Sequence, residues 1–304
     1  MYFIDFLYYF LKTNSKLLFI IAYTFIVNER QKLFMLLNYF SKLKTAIELE
    51  DVNLIIKDLN LDNLKDELFH FKFGLLSINE KNIYEKLKYA KFNEKLIEYS
   101  KLIINYLEKN SSAALICITG SLAYKDARPW QDIDLMMLSN RKNLMKTFLK
   151  ILILNRKLIW NKFKIRLCVN FVSSIEKFPE VINNSCSALV ALDLMKAIPS
   201  NPELYHALLN ATNCIKKYFK ISYRRKPLLN LKMKTSSYSF ADLILYISLF
   251  IYFKFINYIR NLRLLKKRSY INLFNYEFKP DLFMVKSVKY EILKKEFEKI
   301  FLDF

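Results

Sequence analysis

The sequence predicts an α+β fold, a small mixed sheet with helical regions before and after it. Three observations carry that prediction. Short apolar runs at Ala113–Thr119, Asp132–Leu138 and Ile165–Val172 have the length and composition of largely buried strands. Segments outside that stretch, such as Glu85–Leu107 with Leu87, Ile97, Leu102, Ile103 and Leu107, place apolar residues near helical spacing. From Asn184 onward the chain reads as helices punctuated by Pro199, Pro202, Pro227 and Pro280.

Taken in order, residues 1 to 45 read as two hydrophobic helices parted near Thr13 to Ser15, and residues 46 to 110 are mixed in charge. The pattern changes at Ser111. Ala113–Thr119 is a strand ending at Gly120, and the segment SLAYKDARPWQ is a short helical turn followed by a loop at Pro129. Asp132–Leu138 is the second strand, and Asn140–Trp160 is helical. The third strand, Ile165–Val172, sets Arg166, Cys168, Asn170 and Val172 on one face by simple alternation. Pro179 ends this unit. Three regions follow: a helical N-terminal region (1–110), a core (111–183) and a helical, basic C-terminal domain (184–304).

Composition narrows the class. The 304 residues are 53% hydrophobic and 25% charged, which fits a chain that buries a large core and excludes a disordered one. A formal net charge of +21 favours polyanionic partners: nucleic acid, nucleotide phosphates or an anionic membrane surface. From Ile215 to Asn272 fourteen Lys and Arg face a single acid, Asp242. Cys117, Cys168, Cys186 and Cys214 form no CxxC pair, and His70 lies far from His206, which argues against a zinc site. A reduced, cytoplasmic setting is the simplest expectation.

Two segments raise the question of a membrane. Leu17–Val27 is an apolar run of eleven residues, too short to span a bilayer. Phe240–Ile259 has the length of a span but contains Asp242, Lys254 and Asn257, which share a stripe with Tyr246 and Asn261. That pattern predicts an amphipathic helix with its apolar faces in a core, and membrane insertion is disfavoured.

The chemistry concentrates in Ile118–Leu138, ITGSLAYKDARPWQDIDLMML. A strand ending in Gly120-Ser121 lets an anion approach the backbone, where the serine hydroxyl and free amides can hold a phosphate. Asp132 and Asp134, two apart on a strand, point to the same face, so their carboxylates converge while Ile133 turns to the core. Mg²⁺ (or Mn²⁺) is the natural cation between them, since it takes oxygen ligands and brings triphosphate oxygens with it.

This arrangement resembles the signature of the DNA polymerase beta-like nucleotidyltransferase superfamily, and most of all its minimal nucleotidyltransferases, whose motif reads close to GS-x-ARG-x-ARP-x-SDIDL. Ala123, Ala127, Arg128, Pro129, Asp132, Ile133, Asp134 and Leu135 stand in matching places, while Tyr124 and Lys125 replace the usual Arg-Gly. The resemblance extends to a bacterial and archaeal subgroup through Leu167–Phe171, Ser187–Pro199, Asn210–Phe219 and Phe278–Asp281, covering roughly residues 46 to 304. It implies a small nucleotidyltransferase-type sheet. Its implied site has Asp132 and Asp134 catalytic and metal-binding, with Gly120 and Ser121 on the nucleotide phosphates.

One position departs from that pattern. Active members place a third carboxylate on the third strand, where this chain offers Arg166, Cys168 and Asn170. Asn170 is a neutral oxygen donor at that third position. Asp126, Glu176 and Asp193 are the acids that could take the role from a loop or a following helix. The expected function is transfer of a nucleoside monophosphate from an NTP to a hydroxyl acceptor: RNA, a protein side chain or a small molecule. The alternative is a catalytically impaired nucleotide-binding or antitoxin-like interaction module. Oligomeric state is not legible.

Overall fold

A computed structural model describes residues 30–56, 69–156, 166–219, 240–266 and 274–302. The apolar run at Leu17–Val27, most of the first expected helical pair, Ile165 and the end of the Asn140–Trp160 segment lie outside them. The chain divides into two compact units, residues 1–85 with 299–304, and residues 86–298.

The first unit contains a helix over 30–42 (α1), β1 (Ile47–Glu48), α2 (Leu49–Ile55), β2 (His70–Lys72) and β3 (Leu75–Ser77). The strands form an antiparallel sheet in the order β1-β3-β2, which the sequence reading missed because each is two or three residues long. Leu33, Leu36 and Leu37 of α1, at helical spacing, are fully buried, as is Val52 of α2. The β2–β3 turn passes through Phe73 and Gly74, both with positive φ.

The second unit begins within α3 (Glu80–Lys88) and continues through α4 (Ala90–Ser111), β4 (Leu115–Thr119), α5 (Gly120–Ala123), β5 (Ile133–Ser139), α6 (Leu144–Leu154) and β6 (Leu167–Ser174). Then come α7 (Phe178–Asn184), α8 (Ala188–Lys196), β7 (Ile198–Pro199), α9 (Pro202–Asn210), α10 (Cys214–Tyr218), α11 (Phe240–Lys266), β8 (Phe274–Lys279), β9 (Leu282–Ser287) and α12 (Val288–Leu302). The mixture of helices with open sheets is the α+β class expected.

The larger sheet has six strands in the order β7-β4-β5-β6-β9-β8. β5 and β6 are parallel, and the other neighbours are antiparallel. Three of these strands correct the expectation of helices alone after Asn184. β8 and β9 form a hairpin at Pro280–Asp281 that pairs with β6, and β7 pairs with β4. A proline inside the hairpin ladder would have broken it. Here β8 closes at Lys279, and Pro280 sits in the turn, where its missing N–H is not needed. Pro179 likewise does not end a unit: it opens α7, where a fixed φ and an absent donor suit the first helical turn.

One face of the sheet carries the main core. Ile116, Ile118, Ile133, Leu135, Met137, Leu167, Val169 and Val172 pack with Ile103, Ile104 and Leu107 of α4 and Phe148 and Ile151 of α6. The alternation on β6 breaks at Asn170. Leu135 pairs with Val169, yet Met136 pairs with Phe171, so Asn170 is an extra residue, a β-bulge. Val172 therefore joins the core face, not the face of Cys168 and Asn170 as simple alternation predicted.

α11 packs on this core through Leu245, Leu249, Phe250 and Phe253, with Phe148, Phe278 and Phe283 around Phe253 at centroid distances of 5.7, 6.0 and 4.7 Å. Two residues of the polar stripe, Asp242 and Tyr246, face inward as well, while Lys254 is exposed. Asp242 is buried and accepts from the Lys146 amide at 3.2 Å, and the Tyr246 hydroxyl lies 3.4 Å from the Phe278 carbonyl. The expectation that the helix's apolar faces lie in a core thus holds for one face only. Phe240–Arg263 is long and apolar enough to cross a membrane, and just 11% of its apolar window is buried.

Candidate active site

The site forms where β4, β5 and β6 come into register. Thr119 pairs with Asp134, and Asp134 with Cys168. β4 stops at Thr119 because Gly120 takes φ +64°, a left-handed conformation that turns the chain into α5. Space makes the same demand as the dihedral. A Cβ on Gly120 would lie 2.1 Å from Asp134 Oδ2 and 2.9 Å from its Cγ. The aspartate carboxylate is seated directly against the glycine Cα.

Asp134 is largely shielded, and burial, together with the charges of Asp132 and Asp193, raises its carboxyl to about 6. The opposing influence is Asn170, whose Nδ2 donates to Asp134 Oδ1 at 2.6 Å. Asn170 Oδ1 accepts from the Cys168 thiol at 3.0 Å. Burial first, then Asp134 and Asp132, push that thiol up to about 11. Asp132 precedes the first residue of β5 and is exposed, and Ser121 is half-buried at the start of α5. Sequence reasoning placed Asn170 at the third position, and the structure brings it into contact with Asp134 as a donor.

A cavity of about 360 Å³ opens beside these groups. Its wall carries Thr119, Asp134 and Asn170 from the sheet, Gly120 from the start of α5, Asp193 from α8, and Tyr290, Glu291 and Lys294 from α12. Met136, Phe171, Leu194 and Met284 supply an apolar floor. Asp193 is half-buried on the cavity wall, and loss of solvent around its carboxyl raises it to about 6 despite two tyrosine hydroxyls that donate to it: Tyr124 to Oδ1 and Tyr290 to Oδ2, each at 2.7 Å. Lys294 Nζ donates to the Ser185 carbonyl at 3.3 Å.

The two departures from the family motif acquire physical roles here. Tyr124 holds Asp193. Lys125 adopts φ +54°, the conformation that the usual glycine at that place would take freely. The loop that follows is pinned by the Ala127 amide donating to Asn93 Oδ1 at 3.0 Å and by Arg128 over the Tyr89 ring at 4.6 Å. The other acids weighed as substitutes lie elsewhere. Asp126 is 3.7 Å from the Arg128 guanidinium, and Glu176 accepts from the Arg141 amide at 3.3 Å. Tyr290, Glu291 and Lys294 were missed by sequence reasoning, since nothing in KYEILKKE separates them from an ordinary charged helix. Cys186 and Cys214, expected to be reduced, are paired with Cα atoms 5.4 Å apart.

Asp132 and Asp134, two residues apart in the chain, are the carboxylates that would suit a divalent cation carrying nucleotide oxygens. Among the described residues, however, no three His, Cys, Asp or Glu side chains are grouped to hold a metal. Both Asp193 oxygens are taken by tyrosines, so the protein offers two carboxylates and the amide of Asn170.

Comparison with known families agrees with this geometry. Residues 100–190 match the model of the nucleotidyltransferase domain. That match is to under half of the chain and is consistent with the polymerase beta-like nucleotidyltransferase superfamily. No curated protein and no solved structure matches the chain.

Proposed function

We propose that the protein transfers a nucleoside monophosphate from an NTP to a hydroxyl acceptor, with release of pyrophosphate. The observation that carries this reading is the seating of Asp134 against Gly120 at the edge of the cavity, within a segment that matches the nucleotidyltransferase domain. Asp132 and Asp134 would hold Mg²⁺ or Mn²⁺, which when bound neutralises the triphosphate and polarises the reacting phosphoryl group.

The protein's own residues do the rest. The bare Cα of Gly120 leaves the approach to Asp134 open, and Ser121 offers a hydroxyl and backbone N–H to phosphate oxygens. α5 is four residues long, so its dipole adds little and the local N–H groups matter more. Asn170 fixes the orientation of Asp134 by donating to it. Lys294 places a cation on the cavity wall, where it favours an anionic ligand. The acceptor hydroxyl attacks the α-phosphorus, its oxygen replaces the bridging oxygen of pyrophosphate, and its proton passes to solvent or to a carboxylate.

RNA is the acceptor favoured by the net charge of +21, with a protein side chain or a small molecule as the other classes. The test is incorporation of label from α-labelled NTPs into host RNA and protein, with Mg²⁺ and with Mn²⁺. Label that disappears in an Asp132→Ala, Asp134→Ala variant supports the proposal. Absence of label from all four NTPs, with metal-dependent nucleotide binding intact, would favour the nucleotide-binding or antitoxin-like module.

A further inference from the structure

α11 has two apolar faces, and the protein covers one. Leu245, Leu249, Phe250 and Phe253 pack on the sheet, while Ile244, Ile247, Ile251, Phe255 and Tyr258 are exposed. At 100° per residue these five fall within a stripe about 80° wide, opposite the packed side. Their exposures run from 49% to 64%, so this is a continuous strip of large side chains along the helix and not a scatter of single residues.

Charge identifies what fits that strip. Within the helix Lys254 borders it and Arg263 lies toward its C-terminal end, both exposed. Within the helix no acid borders it, because its one acidic residue, Asp242, is buried on the packed side. The sequence on either side is basic too, with Arg224-Arg225-Lys226 before the helix and Lys266-Lys267-Arg268 at and after its end. A second copy of a chain at +21 would bring like charges together along this strip. An apolar strip with basic borders matches instead the interface of an anionic bilayer, where the side chains enter the acyl boundary and the cations meet the headgroups.

We propose that the exposed face of α11 docks the protein peripherally on an anionic lipid surface. The helix lies in the plane of the interface, since its packed face is committed to the sheet. The inference is independent of the nucleotidyl-transfer reading.

The test is flotation of the full chain with phosphatidylcholine vesicles, with and without phosphatidylserine, at low and high salt. Binding should be at least about tenfold stronger to the anionic vesicles and should weaken with salt. An Ile251→Glu, Phe255→Glu variant changes only exposed side chains. It should lose vesicle binding while keeping the wild-type circular dichroism spectrum and nucleotide affinity. Three results would each overturn the proposal: no binding to either vesicle, a face covered in a dimer detected by sedimentation, or association that survives alkaline carbonate, as a spanning helix would.

Discussion

The chain's two glycines sit in turns with nearly the same backbone conformation and for different reasons. Gly74, φ +72°, closes the β2–β3 hairpin, and a side chain there would meet nothing within 4 Å. Gly120, φ +64°, closes β4, and a side chain there would strike the Asp134 carboxylate. Conformation alone asks for glycine in the first turn; in the second, conformation and chemistry ask together. A sequence with so little glycine marks both places but does not say which one guards a site.

Substitutions separate the two. Gly120→Val should weaken metal-nucleotide binding by at least about a hundredfold, equivalent to ~2.7 kcal/mol, while secondary structure by circular dichroism stays close to wild type. Isothermal titration with Mg²⁺ and each NTP measures this, and unchanged affinity would mean that Asp134 is not where the nucleotide metal binds. Asn170→Asp probes the partner on the other side of Asp134. It replaces a donor at 2.6 Å by a second carboxylate. Without metal the variant should lose about 1–3 kcal/mol of stability. Its melting temperature should then rise more with Mn²⁺ than that of wild type. An equal rise in both proteins would remove Asn170 from the metal site.

Asp193 gives a pH signature. Its carboxyl is raised to about 6 in the fold, above its ordinary value of 3.8. The native state therefore binds this proton more tightly than the unfolded chain does. Its contribution to stability is largest below about pH 4 and is lost as pH rises through about 6. Asp193→Asn removes that dependence, so the melting temperature of the variant relative to wild type should improve between about pH 5 and about pH 7. A difference that is flat with pH would contradict the burial argument. Gly74→Ala should cost about 1 kcal/mol from its left-handed backbone and leave nucleotide affinity unchanged, as thermal melting and titration would show. The smallest effect is expected at Lys125→Gly. Release of the φ +54° strain, partly offset by a freer unfolded chain, should leave a gain below about 1 kcal/mol in denaturant unfolding.

Local features of the site were legible in the sequence. The strand, the Gly-Ser turn and the Asp-Ile-Asp strand follow from spacing within about twenty residues, and the place of Asn170 beside them from the resemblance to the superfamily's third position. What could not be read depends on contacts made at long range. Asp193, Tyr290 and Lys294 reach the cavity from α8 and α12, and only folding sets them beside Asp134. The β8–β9 hairpin was hidden by its Lys, Asn and Glu residues, which break the apolar pattern; it is fixed in part by the Asp281 carboxylate receiving both Nε and Nη2 of Arg141, at 2.9 and 2.7 Å. For α11, periodicity identified a helix with a polar stripe. It could not reveal that Asp242 and Tyr246 turn inward to backbone partners while Lys254 of the same stripe stays exposed.

The bulge on β6 has a consequence for how the site could be gained or lost. Leu167 and Val169 face the core before it, Val172 faces the core after it, and Asn170 belongs to neither rhythm. Removing that one residue would restore strict alternation, with Phe171 still toward the cavity and Val172 still toward the core. The sheet is thus complete without Asn170, and the amide beside Asp134 rides on a residue that the ladder can do without. A deletion there would be read by the fold as a repair and by the site as a loss, so stability and nucleotide binding are free to change in opposite directions at a single position.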